Sequence, residues 1–151
     1  MTDLNRMETL RALCCCAALM VIVGTSCDGS EMVKGDNLYY LDAKKTSITQ
    51  KVETADRLEE GCKFVQVEVA KVTNPKRYGL TFEVRYKSGE NEETLLGTFS
   101  LYPADNPGKF IVPSKGRVRN RGEIVLTMVI SDKIEPNDAI QVGVKRITFL
   151  K

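Results

Sequence analysis

Residues 79–87 read GLTFEVRYK. Leu80, Phe82, Val84 and Tyr86 alternate with Thr81, Glu83, Arg85 and Lys87. Side chains of an extended strand point alternately to opposite faces, so this run has one apolar and one polar face. A helix would set Phe82 and Val84 about 200° apart and scatter the pattern. The stretch therefore predicts a half-buried strand.

The same period extends outward in both directions. In FVQVEVAKV (64–72), Val65, Val67 and Val69 alternate with Gln66, Glu68 and Ala70. In ETLLGTFSLYP (93–103), Leu95, Gly97, Phe99 and Leu101 are expected to share a face. KFIVP (109–113) is a short strand ended by Pro113. EIVLTMVIS (123–131) is apolar on both faces except at Thr127, which suggests a central strand covered on both sides or turned toward a partner. The last run, AIQVGVKRITFLK (139–151), slips phase between Val144 and Ile147, and a bulge near Lys145–Arg146 would restore it. Weaker strands are expected at Leu38 to Leu41 and Ile48 to Val52, with one helix-like piece from Thr54 to Gly61.

The connectors TNPKRYG, KSGENEE, PADNPGK, SKGRVRNRG and SDKIEPND carry turn residues. Short strands without crossover helices argue for an all-β fold of seven to eight strands. We expect an antiparallel β-sandwich over 37–151, of immunoglobulin-like type in preference to a barrel.

Composition narrows the function. Apolar residues make up 42% of the 151-residue chain and charged residues 28%, which fits a folded domain rather than a disordered one. The formal charge of +2 provides no strong field, so nucleic acid is not an expected partner. Histidine and tryptophan are absent. The chain thus lacks the commonest general base and metal ligand, and the best stacking platform. It also lacks a nucleophile elbow, a Gly-rich phosphate loop and a metal-spaced cluster, so no catalytic residue, metal or cofactor is assigned.

The N-terminal segment differs from the rest. Ala12 to Val23 carries no charge. As a helix it would reach roughly 18 Å, short of the ~30 Å of a bilayer core. It suits the apolar core of a secretory signal, preceded by Arg6 and Arg11, with Met7 an alternative start. Gly24, Thr25 and Ser26 then lead to Cys27. Small residues followed directly by cysteine resemble the lipobox of bacterial lipoproteins, with Gly24 where leucine is commonest. The resemblance covers residues 1–27 only. It implies that 1–26 is removed, that Cys27 is acylated, and that 27–36 forms a flexible tether. Its expected partner is membrane lipid, and its expected place the bacterial cell envelope, periplasmic or outward facing. Gly24 and Ser26 also satisfy ordinary signal cleavage, and an uncleaved anchor or a core helix are the remaining alternatives. Cys14–Cys16 read as apolar filler.

Cys62 is then a lone thiol, expected to be a small buried residue at a strand start; a reactive thiol is the sharper alternative. Were Cys27 unmodified, a Cys27–Cys62 disulfide would close a loop of about 35 residues and stabilise by roughly 3–4 kcal/mol.

Three groups are candidates for binding. Lys115, Arg117, Arg119 and Arg121 lie in one segment. In an extended strand the three arginines would line one face and suit phosphate or carboxylate groups. Lipid headgroups, lipopolysaccharide or an acidic protein are the targets such a ladder fits, against the plainer reading of a solvated hairpin. Tyr39, Tyr40, Tyr78 and Tyr102 are candidate contact aromatics, against edge packing. Asp105, Asn106, Asp132, Glu135, Asn137 and Asp138 match no dedicated calcium loop and are read as turn residues. The sequence thus points to a tethered binding or assembly module with an envelope protein partner. A structural accessory subunit is the rival reading, and a small hydrolase or thiol enzyme a weaker third.

Overall fold

The computed structural model describes residues 37–53, 61–89, 92–119, 121–135 and 137–151. The expected leader (1–26), Cys27, the expected tether and residues 54–60 of the helix-like piece expected from Thr54 to Gly61 lie outside them. The described residues form nine strands: β1 (Leu38–Asp42), β2 (Ser47–Lys51), β3 (Phe64–Thr73), β4 (Leu80–Lys87), β5 (Glu93–Ser100), β6 (Gly108–Pro113), β7 (Glu123–Ile130), β8 (Gln141–Lys145) and β9 (Thr148–Leu150). One sheet runs β1-β8-β3-β6, with β9 also paired to β3; the other runs β2-β7-β4-β5. Every pairing is antiparallel. The molecule is an all-β sandwich, as the alternating runs predict.

The strand order is not the immunoglobulin one. That order sets the first two strands side by side in one sheet. Here β1 pairs with β8, β2 with β7, β3 with β6 and β4 with β5. The pairing is nested, as in one long hairpin wrapped over itself, and this is a jelly-roll order. Only β4 and β5 are both neighbours in sequence and full partners within one sheet.

The core lies between the sheets. From the β4 side it takes Leu80, Phe82, Val84 and Tyr86; from β7, Ile124, Leu126 and Met128; from β3, Val65, Val67 and Val69; from β8, Val142 and Val144. Phe99 of β5 stacks on Phe82 at 5.0 Å and on Phe110 of β6 at 4.2 Å, closing one side of the sandwich. A Cβ on Gly97 would meet Val112 Cγ1 at 2.8 Å, so this glycine lets β5 and β6 approach.

Three irregularities change the expected faces. Opposite Val84 and Arg85 the β5 register shifts: Val84 faces Gly97 while Arg85 faces Leu95. Leu96 therefore packs against the core, and Leu95 is 45% exposed, correcting its expected place beside Phe99. In β3 the register shifts between Val69 and Lys71, which brings Val72 to the core. The final run breaks at Arg146–Ile147, where the phase slip predicted an extra residue, and Ile147 is buried. The outer face of β7 is covered by no described element: Val125 and Thr127 are half-buried and Val129 is exposed.

The break at Ile147 leaves a peptide without a ladder partner. Gln50, inward facing on β2 of the other sheet, supplies one. Its Nε2 donates to Ile147 O at 2.9 Å and its Oε1 accepts Ile147 N–H at 2.7 Å. One buried amide thus satisfies two buried backbone groups and joins the sheets. Replacing it strands both, at ~1–3 kcal/mol each. Gln50→Ala is expected to lower the unfolding free energy by about 2–4 kcal/mol, read as a lower urea midpoint with unchanged slope. A shift below about 0.5 kcal/mol would contradict the role given to Gln50.

Candidate functional site

Strand directions sort the loops into two groups. The β1–β2, β3–β4, β5–β6 and β7–β8 connections share one end of the sandwich. The β2–β3, β4–β5 and β6–β7 connections share the other. The two ends treat charge differently.

At the first end the acidic residues are engaged within the protein. Asp138 Oδ1 pairs with Lys76 Nζ at 2.7 Å, and its Oδ2 accepts from Tyr78 Oη at 2.6 Å and from Glu135 N–H at 2.8 Å. Lys76 also reaches Glu135 at 2.8 Å. Asp105 pairs with Arg77, and Asp132 accepts from Gly79 N–H. Buried Asn74 donates to Tyr78 O and Ala104 O and accepts from Tyr78 N–H, tying two loops together. These residues are turn and clamp groups. Among the described residues no three His, Cys, Asp or Glu side chains gather as a metal site.

At the second end lies the segment 114–122 between β6 and β7. Lys115 and Gly116 both have positive φ, and Arg117 N–H donates to Ser114 O at 3.0 Å, a tight turn of primed type. Gly116 N–H donates to Cys62 O and Cys62 N–H to Val118 O, so the loop is laced to the chain entering β3. Gly61 makes this approach possible: its φ is +83° and a Cβ there would meet Gly116 O at 2.5 Å. Val118 is buried, with Arg117 and Arg119 exposed on either side of it. Tyr86 Oη donates to Arg119 O at 3.2 Å and accepts from Arg119 N–H at 3.3 Å, while its ring covers Gly122. Arg121 sits in a turn with a φ of +71°. The expected straight ladder of three arginines is therefore corrected. Arg117 and Arg119 share a side, but no strand forms among the described residues of this segment, and Arg121 sits in a turn.

Lys115, Arg117, Arg119 and Arg121 are all exposed, and none makes a side-chain ion pair among the described residues. A shallow cleft of about 230 Å³ beside them is lined by Lys87, Gly89, Arg121 and Glu123. Lys87 is a residue that reading the segment alone misses. It ends β4 and faces Glu123 in register, and only the β4–β7 pairing puts it next to the basic loop.

The tyrosines do not converge. Tyr39 packs against the core, Tyr40 lies over Gly143 on the outer face, Tyr78 serves the Asp138 clamp, and Tyr102 is 97% exposed at the first end. They form no common contact surface.

Cys62 is free and fully buried ahead of β3, the place its sequence context predicts. Ser114 Oγ donates to Cys62 O, so toward the thiol at 3.3 Å it acts as acceptor. The thiol is a buried hydrogen-bond donor to Ser114. On the outer face of the first sheet, Lys145 at 2.7 Å and Lys109 at 3.6 Å hold the Glu68 carboxyl below its usual range.

No family model matches the chain, and no match is found among curated proteins or solved structures. No helix of the described residues is long and apolar enough to cross a membrane, and the 12–23 run lies outside them.

Two predictions follow from the ends. The hydrogen bond from Lys76, with that of Tyr78, holds the Asp138 carboxyl down to about 2, and its bond to Asp138 lifts the Tyr78 hydroxyl above its usual value. A depressed carboxyl stabilises above its unfolded value of about 4, and that contribution is lost as pH falls through the folded one. The melting temperature of the native chain should therefore fall toward that of Asp138→Asn between about pH 4 and pH 2; a gap that stays constant over that window contradicts the clamp. Thiol labelling of Cys62, located by peptide mass mapping, should be at least ~100-fold slower in native buffer than in denaturant, since it needs local opening. Equal rates would restore the reactive-thiol reading.

Proposed function

We propose that this chain is an exported lipoprotein of a bacterial cell envelope, tethered through acylated Cys27, whose jelly-roll sandwich acts as a binding or assembly module. One geometric relation carries the reading. Strand β1 runs from Leu38 toward the end with the Asp138 clamp, so the chain enters it from the direction of the basic loop. A tether ahead of residue 37 would then hold the domain with Lys115, Arg117, Arg119 and Arg121 toward the membrane. The other end, whose described acidic side chains are engaged within the protein, would face away.

The sandwich suits such a role as a rigid scaffold presenting loops and a sheet edge. Beside edge strand β6, Ile111 is 59% and Phe64 39% exposed on the outer face of the first sheet. Apolar side chains next to an edge that no described strand pairs favour a protein partner in the envelope. The same feature supports the rival reading, an accessory subunit with no ligand of its own. The proposal includes no catalytic step.

Mass spectrometry of the mature protein tests the tether. The expected product begins at Cys27 and carries a diacylglyceryl thioether. A mature chain with an unmodified Cys27, or one beginning elsewhere, overturns the lipoprotein reading.

A further inference from the structure

We propose that the β6–β7 loop and the adjoining cleft form a headgroup-docking surface for a bilayer rich in anionic phosphodiester lipids. This rests on the reading of a chain held to a membrane ahead of β1, and it adds how the domain lies on that membrane.

Four observations carry it. Lys115, Arg117, Arg119 and Arg121 protrude from one loop, and no described carboxylate neutralises them at ion-pair distance. The other described arginines, Arg77, Arg85 and Arg146, each have a carboxylate within 4.0 Å; several lysines, Lys44 and Lys45 among them, have none among the described residues, but the four cations of this loop lie within seven residues of one another. A cation kept unpaired is one left for an external anion. Second, the loop is held in shape. The Gly61–Gly116 contact, the Cys62 backbone bonds and the Tyr86 hydroxyl on the Arg119 peptide fix its course, so little order has to be gained on docking. Third, among the described lining residues Lys87 and Arg121 share the cleft with Glu123, one positive side chain more than negative. That balance suits the single charge of a phosphodiester better than the double charge of a phosphomonoester. Fourth, the surface lies at the end from which the chain enters β1.

The binding is electrostatic and additive. A cation near an anionic leaflet strengthens binding by about fivefold, and screening removes the effect within a Debye length. Arginine forks also grip phosphate oxygens in pairs.

Vesicle sedimentation of the full chain carrying Cys27→Ser tests this without any lipid anchor. The vesicles are pure phosphatidylcholine, or phosphatidylcholine with roughly one third phosphatidylglycerol, at about 50 mM and about 500 mM salt. The neutral vesicles read the contribution of the apolar 12–23 run. Partition into anionic vesicles should exceed that into neutral ones by at least tenfold at low salt and fall to the neutral value at high salt. R117S/R119S/R121S should abolish the difference. K44S/K45S, at the opposite end of the sandwich, should leave it intact. Equal partition into both vesicles, or an undiminished difference in the arginine variant, overturns the proposal; so does an equal loss in the Lys44 and Lys45 variant. Soluble inorganic phosphate at millimolar concentration should not displace the protein from the vesicles. Displacement would mark a free-phosphate site instead and would equally overturn it. None of these outcomes depends on acylation of Cys27, which the mass of the mature protein decides separately.

Discussion

Each strand pair in this fold is enclosed by the next, and the sandwich depends on that nesting. The β4–β5 hairpin is the innermost pair; β3–β6, β2–β7 and β1–β8 wrap around it in turn. Every pair beyond the first joins segments progressively farther apart in sequence, so loop-closure entropy rises outward. The register shifts in β3 and β5 are accommodated within this order and add local twist. Where the outermost strand breaks at Arg146–Ile147, Gln50 reaches across from the other sheet to hold the freed peptide. That bridge lets the β8–β9 path bend without leaving a buried polar group unmatched.

Period-two alternation made the strands legible, because the face of a residue depends only on its own segment. Leu80 to Lys87 and Phe64 to Thr73 follow this rule over most of their lengths. Strand partners are set by pairing across long separations, about which alternation is silent. The immunoglobulin order was expected for that reason, and nesting was not. Leu95 failed for a related cause: its face depends on a bulge fixed by the partner strand. Gln50 lies in a weak strand pattern that says nothing of its partner, and its role emerges only with Ile147 beside it. The basic segment was legible as composition, its shape was not. Positive φ at Lys115 and Arg121 reflects lacing to Cys62 and the demands of the turns, both remote from local charge pattern. Lys87 joins the group solely through the β4–β7 register.

The two ends of the sandwich solve the same problem differently. Loops between sheets need polar residues, and those residues must find partners or water. The Asp138 end closes on itself: Lys76, Tyr78 and Glu135 converge on one carboxylate, and Asn74 bonds across to Ala104. The Arg119 end spends its hydrogen bonds on the backbone and leaves its long cationic side chains in solvent. One end thus engages its described acidic side chains internally, while the other fixes its backbone and leaves its arginine heads exposed.

The place of the last strands has a bearing on biogenesis. β8 lies between β1 and β3, and β9 continues along the same edge of β3, so residues 141–145 are an interior piece of the first sheet. A chain synthesised from its N-terminus cannot seat β1 until those residues have emerged. Until then β3 has an open edge, and Val142, Val144 and Ile147 are missing from the core. The first sheet is therefore completed only when residues 141–150 take their places, long after β3 has been made.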